Sequence, residues 1–236
     1  MNTEFVARDK RYAMDPNQFL ISEIFHSIQG EGRYAGVPSL FIRLCRCNRT
    51  CSFCDTEFNT INEVKTLEEM GQTLKKYEGV NVIWTGGEPT LQFEAIENLK
   101  ELGHKYQDWH IETDGDFLHT QEGGPANSIT YQRLFVTIDY LVCSPKGVVT
   151  AKKIHNDLAI NLPTVANLYE IKVVTDLKTL NVDLIPYATS LMPLSHEDAE
   201  KTRVVKKEVV EYCIEKNIRF TPRLQVDVWG FAKRGV

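Results

Sequence analysis

Three cysteines stand at the spacing C-x3-C-x2-C in the stretch Cys47-Asn-Arg-Thr-Cys51-Ser-Phe-Cys54. A [4Fe–4S] cluster held wholly by protein takes four cysteine thiolates, so three thiolates leave one iron open to another ligand. A structural zinc site that adds Cys45 is the alternative, because four thiolates satisfy the tetrahedral preference of zinc. However, Cys45 and Cys47 share one face of an extended segment, whereas zinc sites usually pair two short cysteine knuckles across a longer stretch. The spacing therefore favours an iron–sulfur loop over zinc and over surface thiols without a metal.

The composition is that of an ordinary globular protein. The chain has 236 residues, of which 42% are hydrophobic and 25% charged, and we expect one domain over 1–236 with a lead-in at 1–18 and a tail at 229–236. The net charge of -5 predicts no nucleic-acid or membrane partner. No secretory signal or membrane-spanning run is found, and four of the six cysteines fall within ten residues. That clustering suits a metal site in a reducing cytoplasm better than a disulfide framework.

Apolar periodicity alternates between strand and helix, which predicts βαβ units and a mostly parallel sheet. A complete eight-fold barrel usually needs more residues, so we expect an α/β fold: a partial, open (β/α) barrel of about six mostly parallel strands with fewer helices than strands. Capping residues at Thr66 and Ser195 predict the starts of two helices. The strands are expected at 19–28, 37–45, 80–85, 110–113, 138–143, 168–174, 188–194 and 218–228.

Polar residues recur just after these strands, where parallel sheets place their chemistry. They fall at 47–56, 86–88, 113–116 and 144–146. Within the second predicted strand, Arg43 shares a face with Phe41 and Cys45. An arginine there either binds an anionic partner or extends to the surface, and the pattern alone does not separate the two.

The cysteine loop, with Phe53 before its last cysteine, and the following Gly86-Gly87-Glu88-Pro89 resemble the radical S-adenosylmethionine superfamily. The resemblance implies that the open iron binds S-adenosylmethionine, which the reduced cluster cleaves to a 5′-deoxyadenosyl radical that abstracts a substrate hydrogen. Ser27-Ile-Gln-Gly-Glu-Gly32, Cys54-Asp-Thr56 and the segment 85–92 narrow it to the 7-carboxy-7-deazaguanine synthase family, over about residues 20–225.

That family resemblance implies a radical carbon–nitrogen lyase. Such an enzyme converts 6-carboxy-5,6,7,8-tetrahydropterin to 7-carboxy-7-deazaguanine with release of ammonia, in the biosynthesis of nucleosides such as queuosine and archaeosine. It would use a [4Fe–4S] cluster, S-adenosylmethionine and Mg²⁺, draw electrons from a donor such as flavodoxin or ferredoxin, and form a homodimer.

The same resemblance implies roles for individual residues. The cluster ligands would be Cys47, Cys51 and Cys54, and the Mg²⁺ ligand would be Thr56. Arg43 would bind the substrate carboxylate, and the other substrate contacts would be Ile28, Gln29, Gly30, Glu31 and Thr85. The S-adenosylmethionine contacts would be Phe53, Asp55, Gly86, Gly87, Glu88, Ser144, Pro145, Lys146, Met192 and Ser195. Without the resemblance, Thr56 and Glu31 would be ordinary turn residues.

Two features depart from the family pattern. Glu112-Thr-Asp-Gly115 stands where members often have Glu-Thr-Asn-Gly, and Gln225-Val-Asp227 stands where many have Gln-x-His. Two other functions stay open: a radical activating enzyme that makes a glycyl radical on a protein partner, and a zinc-stabilised interaction module. The first would share the cysteine loop but would not need Arg43 or Thr56.

Overall fold

A computed structural model describes residues 14–51, 54, 59–103, 108–117, 129–160 and 167–230. Their contacts divide into two compact units. The first unit is drawn from Met1–His26, Ser39–Thr113 and Gln121–Tyr140, and the second from Ser27–Pro38, Asp114–Thr120 and Leu141–Val236. The expectation of one domain over the whole chain stays a prediction.

The first unit is a sheet with three helices. Its strands are β1 (Gln18–Ile28), β2 (Pro38–Leu44), β3 (Glu63–Thr66), β4 (Asn81–Gly86) and β5 (Trp109–Thr113). The last two residues of β1 and the first residue of β2 are assigned to the second unit. They lie in the order β3-β1-β2-β4-β5, with β2, β4 and β5 parallel and β3 antiparallel to β1. The helices are α1 (Leu67–Lys75), α2 (Phe93–Glu101) and α3 (Tyr131–Thr137).

The capping box predicted for the first helix is confirmed. The Thr66 hydroxyl accepts from the backbone N–H of Glu69, and the Glu69 carboxylate accepts from the backbone N–H of Thr66. Trp84 lies in the core of this unit. Its ring stacks on that of Phe19, with 5.5 Å between centroids, and contacts the edge of Trp109, with 5.3 Å between centroids. This core fixes β4 and therefore the turn that follows it.

The second unit contains the remaining strands: β6 (Tyr140–Cys143, from Leu141), β7 (Tyr169–Thr175), β8 (Ser190–Pro193) and β9 (Arg219–Phe220), in that order and parallel. Its helices are α4 (Val148–His155), α5 (Ala199–Lys216) and α6 (Leu224–Trp229). The core joins β7 and β8 to α4 and α5 through Ala151, Val173, Leu191, Val209 and Cys213.

The predicted fold class is confirmed, with more strands than expected. Among the described residues, β3 is the edge strand next to β1, and β9 is the edge strand next to β8. The strands therefore form an open sheet and not a closed barrel. Nine strands and six α-helices are present in that part of the chain. One expected strand is wrong: residues 218–228 form the two-residue β9 and then helix α6.

The cap predicted at Ser195 is also wrong. Helix α5 begins after Asp198, whose carboxylate accepts from the backbone N–H groups of Glu200 and Lys201. Ser195 is instead buried, two residues after β8. Among the described residues, no helix has the length and apolar character needed to cross a membrane.

Candidate functional site

Two predicted substrate residues lie side by side in the first unit. Arg43 on β2 is in register with Thr85 on the parallel strand β4, so their side chains share one face of the sheet. The Arg43 guanidinium lies 5.1 Å from the centre of the Phe25 ring, and its Nη1 is 3.6 Å from Oε2 of Glu23. Because that ion pair is partly exposed, it contributes little, about 1 kcal/mol at most. Arg43 can therefore exchange Glu23 for another carboxylate at small cost.

The cysteine loop begins directly after β2 and is joined to the turn after β4. The N–H of Gly87 donates to the carbonyl of Leu44 at 2.9 Å, and the N–H of Glu88 donates to the carbonyl of Arg46 at 2.8 Å. A Cβ atom at Gly87 would lie 1.8 Å from the Arg46 carbonyl oxygen. Only glycine permits this approach. The segment 86–89, here called the glycine turn, is therefore packed directly against the start of the cysteine loop.

The loop thiols differ from the other cysteines in exposure. Cys47 and Cys51 are half-buried and Cys54 is exposed, and none of the three belongs to a disulfide. The N–H of Cys54 donates to the carbonyl of Cys51 at 3.1 Å. Accessible thiols can become thiolate ligands.

Cys45 has a different environment. It is fully buried, its Sγ lies 3.1 Å from the carbonyl oxygen of Thr60, and burial raises the pKa of its thiol. Because the Cys45 thiol is already bonded to the Thr60 carbonyl, and no group of three ligand side chains is assembled among the described residues, the structure does not favour the zinc site that would need Cys45.

The thiols of the loop fit an iron–sulfur group by their chemistry: three accessible cysteines follow a rigid strand end. In the described part of the chain, no three His, Cys, Asp or Glu side chains are arranged to hold a metal ion. Cys47, Cys51 and Cys54 are thus near in sequence but not gathered around one point. Phe53, Asp55 and Thr56, the predicted cofactor and Mg²⁺ contacts within the loop, lie outside the described residues.

Glu88 is held firmly at the end of the glycine turn. It is 1% exposed, and its Oε1 accepts from the N–H and hydroxyl of Thr90 at 2.9 and 2.6 Å and from the Thr113 hydroxyl at 2.7 Å. This oxygen caps the 3-10 helix Pro89–Gln92. The predicted contact of Glu88 with S-adenosylmethionine stays a prediction.

In the second unit, the predicted substrate turn is closed by its own hydrogen bonds. The backbone N–H of Gln29 donates to the carbonyl of Val37 at 2.8 Å, and the N–H of Gly36 donates back to the carbonyl of Gln29 at 2.7 Å. The Gln29 side chain is buried, and its Oε1 accepts from the N–H of Glu31 at 3.1 Å. Gly30 contacts the start of α6, where a Cβ would lie 1.7 Å from Oε1 of Gln225.

Glu31 carries the strongest electrostatic interactions of this turn. Its Oε2 accepts from Nζ of Lys172 at 2.6 Å, and its Oε1 accepts from Nε2 of Gln225 at 2.7 Å and lies 3.4 Å from Nε of Arg223. Burial alone would raise the pKa of Glu31. The charges of Lys172 and Arg223 and the hydrogen bonds from Lys172 and Gln225 outweigh burial and lower that pKa to about 2. The reading of Glu31 as an ordinary exposed turn residue is therefore wrong.

The remaining predicted S-adenosylmethionine contacts also lie in the second unit. Ser144, Pro145 and Lys146 follow β6, and Met192 lies on β8 in register with Val174 of β7. Ser195 is 7% exposed and Met192 5%. Their assignment to the cofactor stays a prediction.

Sequence reasoning missed the partners of Glu31. Lys172, Arg223 and Gln225 were not among the predicted site residues, although two signals were present. Glu170 and Lys172 interrupt the otherwise apolar run Tyr169–Thr175 at alternate positions, which places both charges on one strand face. The second signal is the Gln225 segment, which departs from the family pattern.

The comparisons with known proteins agree with the sequence prediction. Residues 41–123 match the family described as Radical SAM superfamily. This region contains the cysteine loop and the glycine turn.

Several relatives are named 7-carboxy-7-deazaguanine synthase. The one from Bacteroides thetaiotaomicron is 41% identical over 128 residues, which cover 53% of this chain and 60% of the relative. The one from Halobacterium salinarum is 28% identical over 243 residues, covering 90% of this chain and 91% of the relative. The aligned region thus spans about three fifths of the length of the more similar relatives.

One solved structure, titled "Crystal structure of QueE from Escherichia coli", is 20% identical and covers 86% of this chain and 93% of its own. Its TM-score of 0.47 is too low to assign the fold by itself. The fold assignment rests on the strand order and pairing described above.

Proposed function

We propose that this protein is a radical S-adenosylmethionine lyase that converts 6-carboxy-5,6,7,8-tetrahydropterin to 7-carboxy-7-deazaguanine and ammonia. The observation that carries the proposal is the cysteine loop. Its three accessible thiols follow a strand end that is joined to a glycine turn, within the region that matches the Radical SAM superfamily. The names of the relatives support the choice of substrate.

The cluster, bound by Cys47, Cys51 and Cys54, would supply the electron that makes S-adenosylmethionine a radical source. The chain's own residues would bind and orient the reactants. Arg43 would bind the substrate carboxylate next to Thr85, and Gly86 and Gly87 would leave room for the methionine part of S-adenosylmethionine. The ring contraction balances without an external oxidant, since substrate and product differ by one molecule of ammonia.

Mg²⁺ belongs to the proposal through Thr56 and the substrate carboxylate, because Mg²⁺ combines few protein ligands with substrate oxygens and water. A flavodoxin or ferredoxin as electron donor, a homodimer and a cytoplasmic location also remain proposals.

The direct test is anaerobic. Protein reconstituted with iron and sulfide is incubated with 6-carboxytetrahydropterin, S-adenosylmethionine, Mg²⁺ and dithionite, and the product is identified by mass spectrometry. We expect 7-carboxy-7-deazaguanine, with S-adenosylmethionine regenerated. Cleavage of S-adenosylmethionine to 5′-deoxyadenosine with no deazaguanine product would contradict the substrate assignment.

Arg43→Ala separates this function from that of a glycyl-radical activating enzyme. A carboxypterin lyase should lose product formation through this change while still binding its cluster, because Arg43 has no part in holding iron. A colourless, zinc-loaded protein after the same reconstitution would instead support the interaction module.

A further inference from the structure

Strand β7 carries two buried charges, and each needs a partner. Glu170 and Lys172 are each 3% exposed, on the strand face opposite Val173, which packs in the core of the second unit. Removing a charged group from water costs several kcal/mol unless the charge is paired and hydrogen-bonded. The two residues use their charges on different parts of the same turn.

Glu170 holds the backbone of the turn. Its Oε2 accepts from the N–H of Arg33 at 3.1 Å, and its Oε1 accepts from the Ser190 hydroxyl. The N–H of Gly32 donates to the Thr221 hydroxyl next to it. Together with the bonds of Gln29, these contacts fix the main chain on both sides of Glu31.

Lys172 acts on a side chain instead. Its Nζ lies 2.6 Å from Oε2 of Glu31, while Gln225 binds the other oxygen at 2.7 Å and Arg223 lies 3.4 Å from it. The carboxylate is therefore held at both oxygens, and its plane is fixed. A carboxylate has about four acceptor positions, so two short bonds leave it able to accept further N–H donors.

We propose that Lys172 is a positioning residue that holds the Glu31 carboxylate in the orientation in which it accepts N–H donors from a heterocyclic substrate, with Gln225 and Arg223 fixing its second oxygen. The inference rests on the proposed function and extends it to residues that do not touch the substrate. It also sets the chemistry of the ligand. Since two cations already compensate the charge of Glu31, this subsite favours a neutral donor edge, such as the amino and ring N–H groups of a pterin, over a cationic group.

The test compares Lys172→Met and Lys172→Arg with wild type in the reconstituted enzyme. We expect Lys172→Met to raise KM for 6-carboxytetrahydropterin by at least about tenfold, with a much smaller change in kcat, because a buried carboxylate that loses its partner reorients or becomes protonated. The acid limb of the profile of kcat/KM against pH should move to higher pH. Lys172→Arg should restore most of the affinity.

The matched control is Lys178→Met. Lys178 forms an ion pair of similar length, 2.7 Å, with Glu208, but on the surface of the same unit. This change should leave KM and the pH profile as in wild type.

A double variant keeps the inference testable if Lys172→Met does not fold. Glu31→Gln and Glu31→Gln/Lys172→Met should have the same raised KM, since Lys172 has no carboxylate left to orient. A further rise in the double variant, or an unchanged KM and pH profile in Lys172→Met, would overturn the role of Lys172 while leaving the proposed function intact. A wild-type protein that makes no deazaguanine would overturn both.

Discussion

The cysteine loop of the first unit and the Glu31 turn of the second represent two ways of building a site. Around Glu31, the chain itself supplies two cations, an amide and a backbone fixed by Glu170. In the cysteine loop, backbone hydrogen bonds from Gly87 and Glu88 fix the entrance, and among the described residues no three His, Cys, Asp or Glu side chains are arranged to hold a metal ion.

This difference follows from the chemistry of the side chains. Buried charges must be paired within the folded chain, whatever else is bound, so the Glu31 turn is organised in advance. A loop that binds a metal through its thiols is stabilised in its folded form by the free energy of metal binding. The loop is therefore expected to depend on its inorganic group, whereas the Glu31 turn depends on neighbouring strands.

The largest expected effect tests this dependence in the loop. Replacing Cys47, Cys51 or Cys54 by alanine should abolish stable iron and sulfide incorporation, because two thiolates cannot hold the cluster that three hold. Iron and sulfide content after anaerobic reconstitution measures the outcome.

Cys45→Ala is the matched control, since this buried thiol is bonded to Thr60 and should not bind iron. Loss of iron in Cys45→Ala together with its retention in any of the other three variants would reverse the assignment of ligands.

The second prediction concerns the fixed entrance of the loop. Gly87→Ala places a Cβ 1.8 Å from the Arg46 carbonyl oxygen and 3.1 Å from the Cys47 backbone nitrogen. Because both contacts are with backbone, no side chain can move aside, and we expect a loss of more than about 3 kcal/mol in the free energy of unfolding. Urea denaturation of the protein without its cluster measures it.

Gly147→Ala is the control, because among the described residues no atom outside its chain neighbours and its own helix backbone lies within 4 Å of the added Cβ. As Gly147 is the N-cap of α4, a cost of only about 1 kcal/mol is expected there. Equal losses in the two variants would show that the approach of Gly87 to the loop does not fix its entrance.

The sequence predicted much of the fold because local signals and tertiary structure agree there. The capping box at Thr66, the alternation in β2 and the long helix ending at Lys216 all have this property. The sequence does not predict helices α3 and α4, since both are short. Thr130 caps α3 through the N–H of Arg133, whereas α4 begins at Gly147 without a side-chain cap. The β-branched and aromatic residues of the segment 218–228 predict a strand, but the chain leaves β9 at Thr221-Pro222 and enters α6 at Leu224.

The candidate site was predictable only where residues close in sequence carry it. The cysteine spacing and the glycine turn are local motifs of this kind. The partners of Glu31 come from positions about 140 and 190 residues further along the chain, as the separations from Lys172 and Gln225 show. The charges at alternate positions of Tyr169–Thr175 indicate a buried ionic site, but no local pattern shows that Glu31 is the partner of Lys172. Only the tertiary structure brings these residues together.

The third prediction concerns the ion pairs of Glu31 in the second unit. Glu31 has a pKa of about 2 in the folded protein, below the usual value of 4.5. A lowered folded-state pKa stabilises the fold above the unfolded-state value, and this contribution disappears as the pH falls from about 4.5 towards 2. The stability difference between wild type and Glu31→Gln should therefore decrease by about 3 kcal/mol over that range.

Urea denaturation at pH 6 and near pH 2.5 measures this decrease. A difference that does not change with pH would mean that Glu31 is not held ionised by Lys172 and Arg223. The stability difference between wild type and Cys47→Ala, measured without the cluster, should not change over this pH range, because the substitution removes no acidic group.

The smallest expected effect tests whether the helix cap at Asp198 stabilises the second unit in addition to its ion pairs. Asp198→Ala removes the carboxylate that accepts from the N–H groups of Glu200 and Lys201, so two donors at the start of α5 lose their partner. A loss of about 1 kcal/mol is expected, the usual cost of an N-cap. If Ser195 capped the helix instead, Asp198→Ala would leave the unfolding free energy within about 0.5 kcal/mol of wild type. Because α5 packs against β8 through Val209 and Leu191, the change should reach the sheet as lower amide-exchange protection in β8 without altering iron content.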